Sequence, residues 1–599
     1  MDTRTRAVPI KDIPASLPTA TVLENVDHIE LAKTYLNRLH DLSREDLRED
    51  SWWKDLFAFT ETSRTFNGVE RVLSAWRELL VTHATSGFKL MPDGSRVMQM
   101  GRTSWVQASF TFERATEPPR TGSGSIRLVP DEDGTWKIWI ISTMLEQIPS
   151  FGNVDVLEPQ STLSSDMNGA NGHVTKHTAY GYDAVVVGAG PAGLSMCGRL
   201  KALGVSCIAL EKYSEIGGNW TNRYETMKLH TSKESCQLPF DRTWGPEYSY
   251  FLTAKHLAEG YQRYVKKYNL NVQLSSQVEK ASWNEREGTW TITVISKNQT
   301  ETLTARHLVL AIGATGSIPK MPHLAGKEAF RGEVLHSVYY KNATRWKGKK
   351  CVIVGTANTA HDIAEDMLDV HVESVTMVQR SATPVLPIAY YRKAHDPVYN
   401  DKIPTEISDR IFLWSTPVPV FRLLVLQTIG FLANQDSEYF DALDGVGFKT
   451  QRVCDMANML YERLGGHHLD VGAAAKVAQG LIKVKSDQPL NGFNEHGLMF
   501  GDGSTLKADV VVFATGFEGN MRKMSEKFLD QEVTSSMDDC FHVDAEGELI
   551  GAWKPMKQPN IWYAAGDIAH IRFFSRFLAL QIKADLEGAT FRPYLNHKP

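Results

Sequence analysis

Two glycine-spaced loops carry the chemistry that this chain can be expected to perform. In the first, Tyr182–Val187 reads as a buried strand that runs into Gly188-Ala189-Gly190-Pro191-Ala192-Gly193 and then into a helix with an apolar side over Leu194–Leu200. Gly188 permits the tight turn, Gly190 lets a pyrophosphate approach the backbone, and Gly193 lets helix and strand pack closely. Phosphates lying over Pro191 and Ala192 would face a helix N-terminus, where free N–H groups and the dipole favour negative charge. The next strand, Val205–Leu210, ends in Glu211, 18 residues past Gly193, with Lys212 beside it. A carboxylate at that spacing can hold a ribose diol. A lone G-x-G-x-x-G is a weak signal, but strand, glycines, helix, strand and acid in this order are specific.

The second loop is less regular. A buried strand over Lys349–Val354 leads to Gly355-Thr356-Ala357-Asn358-Thr359-Ala360 and a helix over His361–Leu368. Ala357 replaces the middle glycine, and its methyl pushes the backbone away from a pyrophosphate unless the turn adjusts. The following strand, Val375–Gln379, ends in Arg380-Ser381, where an enzyme that binds a free 2′-hydroxyl would carry Asp or Glu. Arginine there suits the extra phosphate of NADP, so NADPH is expected rather than NADH. A surface arginine after a strand is the plainer alternative. No nucleophile triad or acid/base pair stands out. His467 and His468 lack a spaced third ligand, so no metal site is expected.

These loops need a frame. With 599 residues the chain is too long for one core, and two or three domains are expected. Composition is ordinary (42% hydrophobic, 23% charged), and a net charge of −5 with no basic block gives no sign of a nucleic-acid partner. The six cysteines form no CxxC pair, which argues against a disulfide scaffold or a zinc ribbon and fits a reducing, cytoplasmic setting. Residues 1–25 read as a flexible arm without a signal-peptide run. Residues 26–150 read as an α+β unit, with helical patterning through HIELAKTYLNRLHDL and VERVLSAWRELLVTHA before strand-like runs. In one of these runs Trp105, Gln107, Ser109 and Thr111 alternate with Val106, Ala108, Phe110 and Phe112. Residues 151–178, rich in Ser, Asn and Gly, read as a linker. Beyond it, short Val/Ile-rich runs alternate with helices, the mark of a parallel α/β sheet. Phe421–Ala433 is apolar but short and carries Arg422 and Gln427, so a buried helix is expected rather than a membrane span, with a surface-dipping helix as the alternative.

Beyond the first loop the sequence resembles the flavin-containing monooxygenases. The carrying residues are Gly217-Gly218-Asn219-Trp220, the stretch Arg223–Pro239 that includes His230, and Phe330-x-Gly332-x-x-x-His336-x-x-x-Tyr340. The Arg223–Pro239 stretch is most similar to the plant YUCCA branch. Where Baeyer–Villiger members have Trp and Pro, this chain has Tyr340 and Asn342. The N-terminal unit resembles the nuclear-transport-factor-like (SnoaL-like) cone at the level of pattern. The resemblance implies an α/β two-dinucleotide-binding-domain flavoprotein, with an FAD unit (179–345 and 505–599) and an NADP unit with a helical cap (346–504) inserted in it. FAD would be held by Gly188, Gly190, Pro191, Ala192, Gly193, Glu211, Lys212, Gly218, Trp220, His230 and Asp567. NADPH would be held by Gly355, Thr356, Asn358, Thr359, Arg380, Ser381, Thr515 and Gly516.

By the same resemblance Asn219, Trp220 and His230 lie closest to the chemistry, although His230 also reads as a structural histidine. His336 reads as a connector between domains. The implied reaction inserts one oxygen atom from O2 into a small lipophilic molecule through a C4a-(hydro)peroxyflavin, as in N,N-dimethylaniline-type heteroatom oxidation. A Baeyer–Villiger reaction or an uncoupled NADPH oxidase remains open on the same scaffold. So does a role for the N-terminal unit as a partner-binding or homodimerising module.

Overall fold

The computed structural model describes residues 5–131, 133–160, 181–313, 318–410 and 414–596. The expected linker falls largely on 161–178, outside the described residues. Three sheets organise the rest. The first has six strands: β1 (Leu47–Leu56), β2 (Ser63–Asn67), β3 (Thr85–Met100), β4 (Thr103–Arg114), β5 (Arg120–Pro130) and β6 (Trp136–Gln147), in the order β2-β1-β6-β5-β4-β3. Helices α1 (His28–Arg38) and α2 (Val69–Thr82) accompany it. The α2 residues Val69, Val72, Leu73, Trp76 and Leu79, at helical spacing, join one core with Trp53, Phe59, Phe110 and Phe112.

That sheet is buried on both faces, which simple alternation does not foretell. Trp53, Val106, Ile138 and Ile141 face the inner core, while their neighbours Trp52, Trp105, Trp139 and Ile140 join the core of the rest of the chain. The polar positions Gln107 and Ser109 are buried as well. Each large apolar side chain so covered contributes roughly 1.5–3 kcal/mol.

Buried charges stitch the same seam. Lys54 lies 2.5 Å from Glu548, and both side chains are 5% exposed. Arg64 grips Glu546 with two nitrogens at 2.6 and 2.7 Å. Arg410 and Arg576 both reach Glu146, and Arg199 and Arg576 both reach Asp155. Burial alone would raise the pKa of Glu548, yet Lys54 and Lys554 hold it down at about 2. At the C-terminus, Tyr594 N–H donates to Thr60 O at 2.8 Å. The first residues are anchored too, in contrast to the expected loose arm: Ile10 is buried, and Val8 N–H donates to Val543 O at 2.9 Å.

The second sheet has seven strands. β7 (Tyr182–Val187) lies parallel to β8 (Cys207–Leu210) on one side and to Gln299–Leu310 on the other. Helix α3 (Pro191–Ala202) links β7 to β8, and Ile561–Tyr563 returns from near the C-terminus to pair with Gln299–Leu310. The third sheet is wholly parallel: Glu333–His336, Val510–Phe513, Lys350–Val354, Ser374–Val378 and Ile482–Lys485. It therefore extends one strand beyond the expected 346 and 504 boundaries at each end. The helix Val418–Gln435 is buried on one side only: Leu424, Ile429, Leu432 and Ala433 are covered, while Phe431 is 44% exposed. Its Arg422 pairs with Asp455 at 2.6 Å. The buried helix expected from the sequence is thus found, covered over part of its surface.

Candidate active site

Both glycine loops sit where a parallel sheet changes winding direction, the crevice in which open α/β sheets bind nucleotides. Gly188 has φ +104°, and a Cβ there would lie 2.5 Å from Ala311 O. Gly355 has φ +126°, and its Cβ would lie 2.5 Å from Ala514 O. A Cβ on Gly193 would come within 1.9 Å of Gly188 O, so α3 rests directly on the turn. Above Gly190 a Cβ would meet nothing within 4 Å, which leaves the approach to the helix N-terminus open.

Glu211, buried at the end of β8, accepts from Ala189 N–H at 2.9 Å and from Tyr213 N–H at 3.0 Å. It ties the loop together while keeping lone pairs for a ribose diol. Lys212 is exposed nearby. Across the crevice Gly566 (φ +147°) precedes Asp567, which caps the helix Ile568–Leu586 by accepting from His570 N–H at 2.9 Å. An open cradle, a buried diol acceptor and a free helix N-terminus fit FAD.

In the second loop Ala357 keeps the backbone of its counterpart. Ala357 has φ −90° and ψ −175°, against −75° and −172° at Gly190. The expected adjustment of the turn is therefore unnecessary, and only the methyl itself is added. The other groups are more committed than expected. Asn358 N–H donates to His467 O at 3.2 Å, and its side-chain oxygen accepts from Leu469 N–H at 2.8 Å. Thr356 Oγ1 is 2.6 Å from Thr383 Oγ1. Thr515 Oγ1 donates to Lys320 O, and Gly516 O accepts from His336 Nε2–H at 3.1 Å. Burial lowers the His336 pKa, and the neutral ring accepts from Val338 N–H at 3.1 Å with its other nitrogen. His336 thus joins two segments of the third sheet. His468 stacks on His361 at 3.4 Å.

Arg380 and Ser381 are exposed beyond the strand Ser374–Val378, at the carboxyl end of the sheet. A second cation, which sequence reasoning missed, stands at the same edge. The carboxamide of Gln379 holds the backbone of Lys449, accepting from its N–H at 2.8 Å and donating to its O at 2.9 Å, and the Lys449 ammonium donates to Ser486 O at 2.6 Å, just past the strand Ile482–Lys485. The two residues are 70 apart in sequence, so no local motif reveals the pair. Arg380→Ala should raise the KM for NADPH by about 10- to 100-fold, the 1.5–3 kcal/mol scale of a hydrogen bond between charged groups. The KM for NADH should change little. Steady-state assays with both coenzymes check this, and equal effects would sink the assignment.

The three residues expected nearest the chemistry are not equivalent. Asn219 and Trp220 share the short helix Gly218–Thr221; Asn219 is exposed, while the indole N–H of Trp220 points inward toward the buried hydroxyl of Tyr261. His230 is instead engaged by the second unit, with Nε2 3.1 Å from Asp362 Oδ1. Asp362 Oδ2 also accepts from Tyr224 O–H at 2.7 Å. One turn along the same helix, Asp366 accepts from the Tyr340 hydroxyl and, at 3.1 Å, from Ala343 N–H. Asp362 thereby clasps the first unit, while Asp366, at i+4 on the same helix face, anchors Tyr340 of the fingerprint in the segment that joins two strands of the third sheet.

Burial depresses the His230 pKa, but Asp362 and then Asn358 outweigh it, and the net shift is upward from 6.5. The pair is therefore complete below about pH 6.5 and is lost as pH rises through the elevated value. Its stabilisation should fade on the alkaline side. Thermal melts across pH should show that loss in the wild type and not in Asp362→Asn; identical slopes would remove the pair from the account. His361 and His467, held neutral chiefly by burial, act at acid pH and do not confuse the comparison.

A crevice of about 20 Å³, room for one water, lies where the first sheet, the helical segment and the C-terminal part meet. Its walls include Lys54, Phe57, Trp414, Phe421, Trp553 and Phe574. Trp553 N–H donates to Ala565 O at 2.9 Å, so this wall backs onto Gly566 and Asp567.

Comparison with known proteins agrees with this geometry. A family model described as pyridine nucleotide-disulphide oxidoreductase matches residues 185–390. The probable indole-3-pyruvate monooxygenase YUCCA3 of Arabidopsis thaliana is 30% identical over 345 residues, covering 56% of this chain and 73% of the relative. Indole-3-pyruvate monooxygenase YUCCA8 of Oryza sativa subsp. japonica is 26% identical over 345 residues, covering 56% and 76%. Among solved structures, cyclohexanone monooxygenase from Rhodococcus sp. Phi1 bound to NADP+ aligns with a TM-score of 0.50 at 17% identity, over 68% of this chain and 84% of that one. A steroid monooxygenase bound to NADP gives 0.50 at 18%, over 68% and 85%. These two show the shared fold. With two glycine loops of nucleotide-binding form and a relative of this identity and coverage, the chain belongs to the flavin monooxygenases, FAD- and NADPH-dependent oxidoreductases that use O2.

Proposed function

We propose that the protein inserts one oxygen atom into a small, lipophilic organic molecule, on the heteroatom-oxidising or YUCCA-like side of its family. One observation carries the reading: the carboxylate clasp holds the second crevice against the first, as transfer between two cofactors requires. Bound FAD supplies hydride acceptance and oxygen activation. The chain's own residues position and enclose. The Gly188–Gly193 loop, Glu211 and Asp567 hold the flavin nucleotide, and Arg380 with Lys449 selects the 2′-phosphate. Asp362 sets the distance between the units, and the aromatic walls around Trp414 and Trp553 exclude water. His230 acts through Asp362 as a positioning residue. The N-terminal unit serves as a SnoaL-like wall of the enzyme rather than as a separable dimerising module, supported by its doubly buried sheet. A cytoplasmic setting fits the free thiols.

The test is NADPH consumption by the flavin-loaded protein over amines, thioethers, ketones and 2-oxo acids, with products identified. An N- or S-oxide or a decarboxylated acid supports the reading. An ester would favour the Baeyer–Villiger alternative, and hydrogen peroxide alone in every case would defeat oxygen transfer.

A further inference from the structure

Arg223 is a half-buried cation with no carboxylate partner among the described residues. It follows the short helix Gly218–Thr221, and its guanidinium sits between two rings, 5.7 Å from the centroid of Trp220 and 5.8 Å from that of Phe517. Trp220 belongs to the first unit, whereas Phe517 directly follows the Thr515-Gly516 crossing from the third sheet. The side chain therefore spans the gap between the units. The buried arginines nearby have partners: Arg199, Arg572 and Arg576 meet carboxylates, as does the half-buried Arg410, and Arg127 donates to the hydroxyls of Ser415 and Thr416. Among the described residues Arg223 has no such partner, and the titratable groups acting on it are the phenols of Tyr224 and Tyr213. Burial lowers its pKa, but an arginine remains charged at neutral pH. The two aromatic faces attract the cation but leave its charge without a counter-ion. An anion would close that gap.

The neighbouring crevice is that of the second loop. Tyr224, next to Arg223, contacts Asp362 in the first turns of the helix Asn358–Asp369. That is the helix whose Asn358 N–H is engaged by His467 O, behind a loop carrying the Ala357 methyl and a Thr356 hydroxyl turned to Thr383. The first loop is open above Gly190, where the second carries that methyl. We propose that Arg223, contributed by the FAD unit, binds the pyrophosphate of NADPH across the gap between the two units. The inference rests on the NADPH reading above. It makes coenzyme binding a property of both units together, with Arg380 and Lys449 at the adenosine end and Arg223 at the pyrophosphate.

Binding of NADP+ and of adenosine 2′-monophosphate, which has the 2′-phosphate but no pyrophosphate, separates the two ends. In flavin-loaded protein, calorimetry at two salt concentrations should show NADP+ weakened 10- to 100-fold by Arg223→Ala, with a shallower salt dependence. Affinity for adenosine 2′-monophosphate should not change, which also certifies that the second unit is folded. Arg223→Lys should recover part of the NADP+ affinity, and flavin content should stay constant in both variants. Unchanged NADP+ affinity, or equal losses for both ligands, would overturn the proposal. So would loss of flavin content, because the cation would then serve the FAD pyrophosphate. A wild-type protein that binds neither ligand would defeat the NADPH reading itself.

Discussion

Gly193→Ala is expected to yield protein without bound flavin. The added Cβ would sit 1.9 Å from Gly188 O and 2.9 Å from Gly188 C. Both are backbone atoms of a turn that Ala311 already confines, so no flexible side chain can move aside. Helix α3 must lift from the turn, and the N-terminus that faces the phosphates lifts with it. The cost lies at or above the ~3 kcal/mol upper end for overpacked sites. Visible flavin absorbance per mole of purified protein measures the effect. Gly190→Ala is the control: its Cβ meets nothing within 4 Å, so the chain should fold and hold FAD more weakly. Equal flavin content in both variants would contradict the close-packing argument.

The second large effect is expected at the seam between the first sheet and the rest of the chain. Lys54→Met leaves Glu548 buried with the hydroxyls of Ser63 and Thr65 as its side-chain donors and Lys554 as the remaining nearby cation. Removing one member of a buried pair costs about 3–5 kcal/mol, whereas replacing both is often neutral. Lys54→Met should therefore lower the melting temperature strongly, and adding Glu548→Gln should restore most of it. Deleting residues 1–150 removes the cover from this whole face and strips Glu546 and Glu548 of Arg64 and Lys54. Insoluble or flavin-free protein is expected. A soluble, flavin-loaded remainder would show that the seam is dispensable.

The nucleotide loops were legible because their constraints are local. Gly193 is dictated by a contact within one strand–turn–helix unit, Gly188 and Gly355 by the positive φ of the turn they open, and Arg380 by its place at a strand end. The strands β3 to β6 and both N-terminal helices follow from apolar periodicity. Strand β1 was not legible, because Arg48, Glu49, Asp50, Lys54 and Asp55 hide its period. Two of those charges are buried, and Lys54 is satisfied by Glu548, 494 residues away. Lys449 and the Asp362 clasp escaped for the same reason: their partners are set by tertiary structure. His230 was singled out by resemblance, but only the fold shows that its ring meets a carboxylate of the other unit.

The Lys54–Glu548 pair also bears on biosynthesis. The first sheet emerges from the ribosome early, with Trp52, Trp105 and Trp139 on a face whose cover is not yet made. At roughly 5–20 residues per second, the 494 residues between Lys54 and Glu548 take about 25–100 s to synthesise. Throughout that interval the nascent chain presents an apolar sheet face studded with unpaired lysine and arginine. Yield of this protein in a host cell should accordingly respond to chaperone supply and to translation speed more than to changes in its nucleotide loops.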